Sequence, residues 1–375
     1  MITSVPVVPP WDQGDKNLAY ALTGALPQHR FTVLTARQSD APAGGNLKPE
    51  PVYRSSRPSM GQKARVYRRL LLTPPGRAGA DLYHFVYRPY AVSSWLCRLL
   101  PEFRRRPTLH TVPATAGDKP LARHLFFADW VVALSEFGRR KLEMLGLKRV
   151  RHIPPGIDVA GWMALQSQTD SFKAQLGLSK GPVILFPGHY GPGYGAELVV
   201  RALSKIVAGV PRAQVLFACR LRDPDDRRRE AATRQAVAGM GLARNVHFYN
   251  TVSNMKPLIG ASDLTLLPLQ TMRNKVDIPT TLIESLAAGK PVITTDLPPM
   301  NELVAAPGGA SDCRSIGLTV PPGDSGAVAE AALTLLQDAS LRRAMGRQGQ
   351  RVAQQRFDIR HVAQQYHTLY REMLQ

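Results

Sequence analysis

Cysteine is scarce in this chain, and the three present, Cys97, Cys219 and Cys313, stand far apart with no CxxC pair and no Cys/His cluster. That excludes a disulfide framework and a thiolate-built zinc site. Long apolar runs are missing as well, and none reaches the length of a membrane-spanning helix. The opening MITSVPVVPPW lacks the basic start, extended apolar segment and small-residue cleavage site of a secretory signal, so the expectation is a cytoplasmic protein. Acidic residues are in deficit, 28 against 48 Lys and Arg, for a net charge of +20. The deficit is deepest early: residues 1–160 hold 24 basic and 11 acidic residues, the remainder 24 and 17. The basic stretches, Arg54 to Arg69 and Arg104 to Arg106, have no interleaved aromatics and no zinc-finger or RNA-binding signature, which argues against nucleic acid. A solvated surface and an anionic membrane face, peripheral on the inner side of the cell membrane, both stay open.

What is present is concentrated in KVDIPTTLIESLAAGKPVITTD, Lys275 to Asp296. Pro279 suits the first turn of a helix, where a missing N–H costs nothing, and Thr280 and Thr281 follow with free amides. Leu282, Ser285 and Leu286 share one face, Gly289 caps the end, and Pro291 to Thr295 reads as a buried strand. Glu284 sits one turn in. A glutamate there can accept hydrogen bonds from a ribose diol while the amides before it hold a diphosphate. An exposed helix Glu ahead of a routine turn is the competing reading of this stretch taken alone.

Along the rest of the chain, strand and helix patterns alternate. A Pro/Gly loop at Pro6 to Asp15 leads into a helix from Asn17 to Leu26, and Gly14, Asp15 and Lys16 mark its start. Phe31 to Leu34 is a short strand, Ala36 to Met60 a long surface loop, and Arg65 to Leu72 a helix. Strands at Asp81–Val86, Pro107–Thr111, Leu125–Leu134 and Val150–Ile153 follow, with helices at Pro89–Leu100 and from the N-cap Ser135 to Gly146. His110 is expected at a strand end, where open parallel sheets place binding residues. PPGID, Pro154 to Asp158, breaks the pattern and marks a domain boundary. The second half resumes with strands at Pro182–Phe186, Gln214–Ala218, Val246–Tyr249 and Asp263–Leu269, separated by helices, and the chain closes on helices at Ser340–Arg356 and Ile359–Leu374. Such alternation means α/β architecture with parallel sheets, here two Rossmann-like domains facing across a cleft. The expected division is 1–157 and 158–356, with the last helix, about 357–375, packing back on the first domain.

Two local patterns resist their obvious readings. The glycines of GHYGPGYG, Gly188 to Gly195, miss the G-x-G-x-x-G spacing, which favours a flexible phosphate or sugar loop over a dinucleotide site. Asp223-Pro-Asp225-Asp226 adjoins three arginines at a helix start and reads as a cap rather than a metal ligand.

Taken together, PPWDQGDKN, TLHTVP, ALSEFGRRKL, IPPGID, LFPGHYGPGYG, ASDLTLLPL, IPTTLIESLAAGKPVITTD and GLTVPPGD make the chain resemble the retaining, GT-B-fold glycosyltransferases of family 4 over nearly its whole length. The resemblance implies transfer of a sugar from a nucleotide-diphosphate donor to a hydroxyl of a carbohydrate or lipid-linked acceptor, without a bound metal or other cofactor. It implies that Glu284 is the second glutamate of the family's E-x7-E motif and binds the donor ribose, that Thr280 and Thr281 hold the distal phosphate, that Gly14 lies against the donor phosphates, and that His110 stands on the sugar side. Lys16 and Gly188 join the donor-binding set.

The chain also departs from the family. Position 276, where the first glutamate belongs, is Val276, so Asp277 is expected to contact the sugar in its place and Lys275 a phosphate. The family's Arg/Lys pair is absent from the glycine loop, and Arg220 or Arg222 is expected to supply the charge. These departures keep two rivals open: a sugar-nucleotide-binding protein that has lost catalysis, and a sugar-nucleotide epimerase on the same architecture.

Overall fold

Short β-branched and aromatic runs bounded by Pro, Gly and Asp form the strands, and amphipathic segments between them form the helices. The computed structural model describes residues 1–9, 14–36, 45–54, 61, 66, 80–99, 105–117, 120–221, 223–250, 252, 254–304 and 315–375. The chain divides into two compact units, Met1–Ile157 with Arg273–Ile278 and Phe357–Gln375, and Asp158–Met272 with Pro279–Arg356. The six residues Arg273–Ile278 are the one part of the middle sequence that belongs to the first unit.

The first unit begins with β1 (Ile2–Thr3), α1 (Gly14–Gly24), β2 (Phe31–Ala36), β3 (Leu47–Tyr53), β4 (Tyr83–Val86) and α2 (Ala91–Leu99). It continues with β5 (Thr108–Val112), β6 (Trp130–Ala133), α3 (Glu136–Met144) and β7 (Val150–His152). Five strands form a parallel sheet in the order β1-β4-β5-β6-β7, while β2 and β3 pair separately, also parallel. Val7 N donates to Leu34 O at 3.0 Å, tying β2 to the chain that leaves β1. The strand β3 lies where a surface loop is expected. Its prolines, Pro49 and Pro51, fall at alternate positions of an edge strand, where donors missing from one side are tolerated. The expected strand from Leu125 is also shorter, beginning only at Trp130, because a 3₁₀ turn at Arg123–Leu125 comes first. The helix expected at Arg65–Leu72 falls largely outside the described residues.

The second unit holds α4 (Val159–Met163), α5 (Thr169–Gln175), β8 (Val183–Phe186), α6 (Ala196–Gly209), β9 (Gln214–Phe217), α7 (Pro224–Gly239), β10 (Val246–Phe248), α8 (Lys256–Ala261) and β11 (Leu264–Leu267). After the excursion into the first unit come α9 (Thr280–Ala287), β12 (Val292–Thr295), α10 (Asn301–Val304), β13 (Gly317–Val320), α11 (Ser325–Gln337) and α12 (Ala339–Val352). Six parallel strands run in the order β10-β9-β8-β11-β12-β13. The central strands β8, β9, β11 and β12 are buried at every position, as a sheet covered on both faces requires. Asp223 caps α7 through its side chain, accepting from Asp226 N at 2.9 Å, so the D-x-D is a helix start.

The last helix, α13 (Ile359–Leu374), returns to the first unit. Val362, Ala363, Tyr366, Leu369 and Tyr370 join Leu22 of α1, Leu26 just after it, Leu109 and Val132 in one core cluster. Buried polar contacts fix its register: the His84 imidazole bonds Tyr370 Oη at 2.7 Å and Thr111 Oγ1 at 2.7 Å, and Tyr366 Oη lies 3.1 Å from Thr111 Oγ1. Among the described residues, no helix is long and apolar enough to cross a membrane.

Candidate active site

In the second unit the order of strands reverses beside β8. From β8 the chain goes through α6 to β9 on one side, whereas β11, β12 and β13 lie on the other. Such a reversal opens a crevice at the carboxyl ends of the strands. The glycine loop leaves β8 at that edge, Gln270 leaves β11 there, and Gln270 N donates to Gly193 O at 2.8 Å. A bridge between His189 and Gly195 closes the loop on itself, so it is tied down more than a flexible loop would be. Gly188 is packed directly over the Phe186 ring, where any Cβ would collide. Arg220 follows β9 at the same edge and is half-buried, whereas Arg222 lies outside the described residues.

The helix α9 starts at that edge too. Pro279 is its N-cap, one position earlier than the expected first-turn placement, with φ −64° and no side chain capping the amides that follow. Leu282 N turns back to Pro279 O at 3.1 Å, while Thr280 and Thr281 are half-buried ahead of it. The helix is keyed to β11 by Ser285 Oγ against Thr265 Oγ1 at 2.8 Å. Glu284 lies one turn in, half-buried, and burial pushes its carboxyl from the ordinary 4.5 up to about 7. An uncapped helix start with a glutamate below it can hold an anion at the amides and accept hydroxyl hydrogen bonds at the carboxylate.

In the first unit the segment Arg273–Ile278 delivers Asp277 into the interior. Its carboxylate accepts from Thr115 N at 2.7 Å, Thr115 Oγ1 at 2.6 Å, Ala116 N at 3.2 Å and Ser135 Oγ at 2.8 Å. Its own N–H donates to Pro113 O at 2.8 Å. Burial raises its pKa while these hydrogen bonds oppose the rise. Ser135 also accepts from Gly138 N at 2.9 Å as the N-cap of α3, so one hydroxyl serves both the helix and the carboxylate. Val276 takes the space against Gly14: a Cβ on Gly14 would stand 2.9 Å from Val276 Cγ1. Lys275 is half-buried beside them.

The remaining first-unit residues are more deeply set than their sequence positions suggest. Lys16 is buried in the first turn of α1, behind Asp15, whose carboxyl is raised by burial and accepts from Ser4 Oγ and Lys16 N. His110 is the middle residue of β5 rather than its end, and it is fully buried. Its Nε2 faces Tyr87 O at 2.9 Å, its Nδ1 has no hydrogen-bond partner, and burial holds its pKa down at about 4, so the imidazole is neutral. Tyr87, Phe85 and Phe127 surround it, the nearest ring centroid being 4.8 Å away.

Gly188, Arg220, Thr280, Thr281 and Glu284 thus share the carboxyl edge of the second sheet, and Gly14, Lys16, His110, Lys275 and Asp277 belong to the first unit. Thr115 is a polar contributor that the sequence reading misses. Its only signal is its place just after β5, in a segment whose prolines point to nothing but a turn.

Residues 181–338, most of the second unit, match the family model described as Glycosyl transferases group 1. The phosphatidyl-myo-inositol mannosyltransferase of Mycolicibacterium smegmatis is 28% identical over 213 residues, 56% of this chain and 49% of that protein. The N-acetyl-alpha-D-glucosaminyl L-malate synthase of Bacillus anthracis is 27% identical over 176 residues, 47% and 42%. The matches span about half the length of these curated relatives. Among solved structures, Anabaena Alr3699/HepE in complex with UDP superposes with a TM-score of 0.76 at 17% identity, covering 99% of this chain and 100% of that one. Sucrose-phosphate synthase from Thermosynechococcus elongatus gives 0.78 at 20%, covering 99% and 98%. The chain therefore has a GT-B fold of two Rossmann-like units.

Proposed function

We propose that the protein is a retaining glycosyltransferase that moves a sugar from a nucleoside-diphosphate sugar to an acceptor hydroxyl in cell-surface polysaccharide or glycolipid synthesis. The observation that carries the proposal is the uncapped start of α9, with Glu284 one turn below it, at the strand-order reversal of the second unit. There the amides of Thr280 and Thr281 receive the distal phosphate, Glu284 accepts from the ribose hydroxyls, and Arg220 adds positive charge. In the reaction the bond from the anomeric carbon to the diphosphate breaks, the acceptor oxygen forms a new bond to that carbon on the same face, and the hydroxyl proton leaves with the diphosphate. Helix-end amides and basic side chains stabilise the departing charge, so catalysis needs no metal and rests on positioning and electrostatics. His110, neutral and with an open Nδ1, offers an acceptor to a sugar hydroxyl.

Asp277 has a different part here from the sugar contact expected of it. Four donors of the first unit occupy its carboxylate, and that favours a positioning role for the Pro113 to Ala116 turn and the start of α3. The same feature supports a second reading, a sugar-nucleotide-binding protein without transfer, since Val276 and Asp277 both face protein. The acceptor and the anionic membrane surface belong to the proposal on the strength of the charge distribution and the relatives' glycolipid chemistry.

The test is binding of UDP, GDP, ADP and dTDP in the presence of a chelator, followed by thermal shift and calorimetry on the wild type and Glu284→Ala. One diphosphate should raise the melting temperature of the wild type alone. No stabilisation by any of them would remove the donor site. Binding without release of diphosphate from the matching sugar nucleotide, across an acceptor panel, would favour the second reading.

A further inference from the structure

The first unit has a second recess, at the opposite end of its sheet from the β5–Thr115 turn. A cavity of about 710 Å³ opens at the amino ends of β5, β6 and β7, with Arg98, Arg105, Arg106 and Arg149 around it, Trp130 in its wall and Asp129 as its carboxylate. Asp129 is already engaged, its Oδ2 accepting from Thr108 N and Thr108 Oγ1 at 2.8 Å each. Arg149 lies over the Trp130 ring, 5.5 Å from its centroid. Arg98 donates to His124 O and Phe126 O, which sets its guanidinium at the rim. Among the described residues, Arg105, Arg106 and Arg149 have no carboxylate partner. Among the described residues, these three guanidinium groups beside one committed carboxylate make a recess that a phosphate can enter and a neutral group gains little by entering.

The helix that supplies Arg98 adds a second observation. On α2, Val92, Trp95 and Leu99 stand at i, i+3 and i+7 and are 66%, 59% and 50% exposed, with Tyr90 at 56% just before the helix. An apolar stripe with a tryptophan, bordered by arginines, has the composition of a surface that enters the headgroup region of a bilayer. Free phosphate would account for the recess but not for the stripe beside it. Charge complementarity selects the occupant: a surface carrying both phosphate and hydrocarbon.

We propose that this recess and the exposed face of α2 form a docking site for anionic phospholipid, the arginines taking the headgroup phosphate and Trp95 and Leu99 entering the interface. The inference rests on the reading of a membrane partner made above and gives that reading a definite place. It does not depend on the donor site, which lies in the other unit.

The test is co-sedimentation of the full chain with phosphatidylcholine vesicles, with and without phosphatidylglycerol, at low and high salt. The wild type should bind only the anionic vesicles and be released by salt. Arg105→Ala/Arg106→Ala/Arg149→Ala should weaken binding roughly a hundredfold, about fivefold for each arginine. Trp95→Ala/Leu99→Ala should weaken it without changing its salt dependence. Arg343→Ala/Arg347→Ala, which removes two exposed charges from the second unit, should bind as the wild type does. All variants are first compared by circular dichroism and melting temperature, and Trp95→Ala alone replaces any that fails to fold.

Loss of binding in the control equal to that in the triple variant would show attraction by net charge and overturn the site while leaving a membrane partner in place. Failure of the wild type to bind anionic vesicles would overturn both. Stabilisation by inorganic phosphate that the triple variant loses, without vesicle binding, would assign the recess to a soluble phosphate compound and overturn the lipid. Diphosphate binding at the donor site is measured separately and is unaffected by each of these outcomes.

Discussion

Asp277→Ala offers the sharpest test of how the first unit is held. The substitution leaves Thr115 N, Ala116 N and the hydroxyls of Thr115 and Ser135 without their buried acceptor. Each such donor costs about 1–3 kcal/mol when unsatisfied. Rotation of the two hydroxyls and entry of water relieve part of that, which leaves a loss of about 4 kcal/mol, a large share of the roughly 5–15 kcal/mol that holds a domain together. With a urea slope of about 2 kcal/mol per molar, the unfolding midpoint of the first unit should fall by about 2 M. Trp162 is the one tryptophan of the second unit, so a Trp162→Phe background leaves fluorescence to report on the first. Asp277→Asn keeps an oxygen for the two backbone amides and can donate to the two hydroxyls, so its loss should be about 1–2 kcal/mol. A midpoint shift below about 0.5 M for alanine, or equal shifts for both variants, would refute the account. Loss of transfer in Asp277→Asn at unchanged stability would return the residue to the chemistry.

Four further outcomes are expected. Because burial raises Glu284 to about 7, the folded state keeps its proton between about 4.5 and 7 while the unfolded chain gives it up, so second-unit stability falls as pH rises through that window; Glu284→Gln should flatten this slope in denaturation curves. Nucleoside-diphosphate affinity should also rise as pH passes about 7 by more in the wild type than in Glu284→Gln, a comparison that cancels the ligand's own titration. His84 and His110 are both lowered by burial, His110 to about 4, so the unfolded chain takes up protons first and first-unit stability should fall as pH drops from about 6.5 toward 4; ring-proton NMR should show His110 not titrating above pH 5. Transfer should continue at an unchanged rate after exhaustive chelation, and loss restored by a divalent ion would refute the metal-free proposal.

The parts of the fold that could be read from sequence are those where local signals and packing agree. Ser135 is an N-cap as its position before EFG implies, Gly289 ends α9, and Ile359–Leu374 is a helix at the residues its periodicity gives. The strand β3 was hidden because LKPEPVY carries two prolines and no alternation, and an edge position tolerates both. The strand β13 and helix α11 have weak signals: four residues in one case, and in the other an alanine-rich face whose burial depends on α6 and the sheet. At the candidate site, the helix start and Glu284 were legible because helix chemistry is local. The environment of Asp277 was not, since its partners lie about 140 to 160 positions away, and spacing along one chain says nothing of such a meeting.

The return of the chain to the first unit at Phe357 has a consequence for how the protein is made. The first unit takes its core from both extremes of the sequence: Leu22 and Leu109 meet Tyr366 and Tyr370, and Asp277 arrives from between them. During synthesis the early residues therefore wait, with His84 and Thr111 lacking their tyrosines, until the second unit has been translated in full. The half begun first is completed last. A fragment ending at Ile157 lacks one wall of its core and the carboxylate that gathers Thr115 and Ser135, whereas the second unit is whole once Arg356 has emerged.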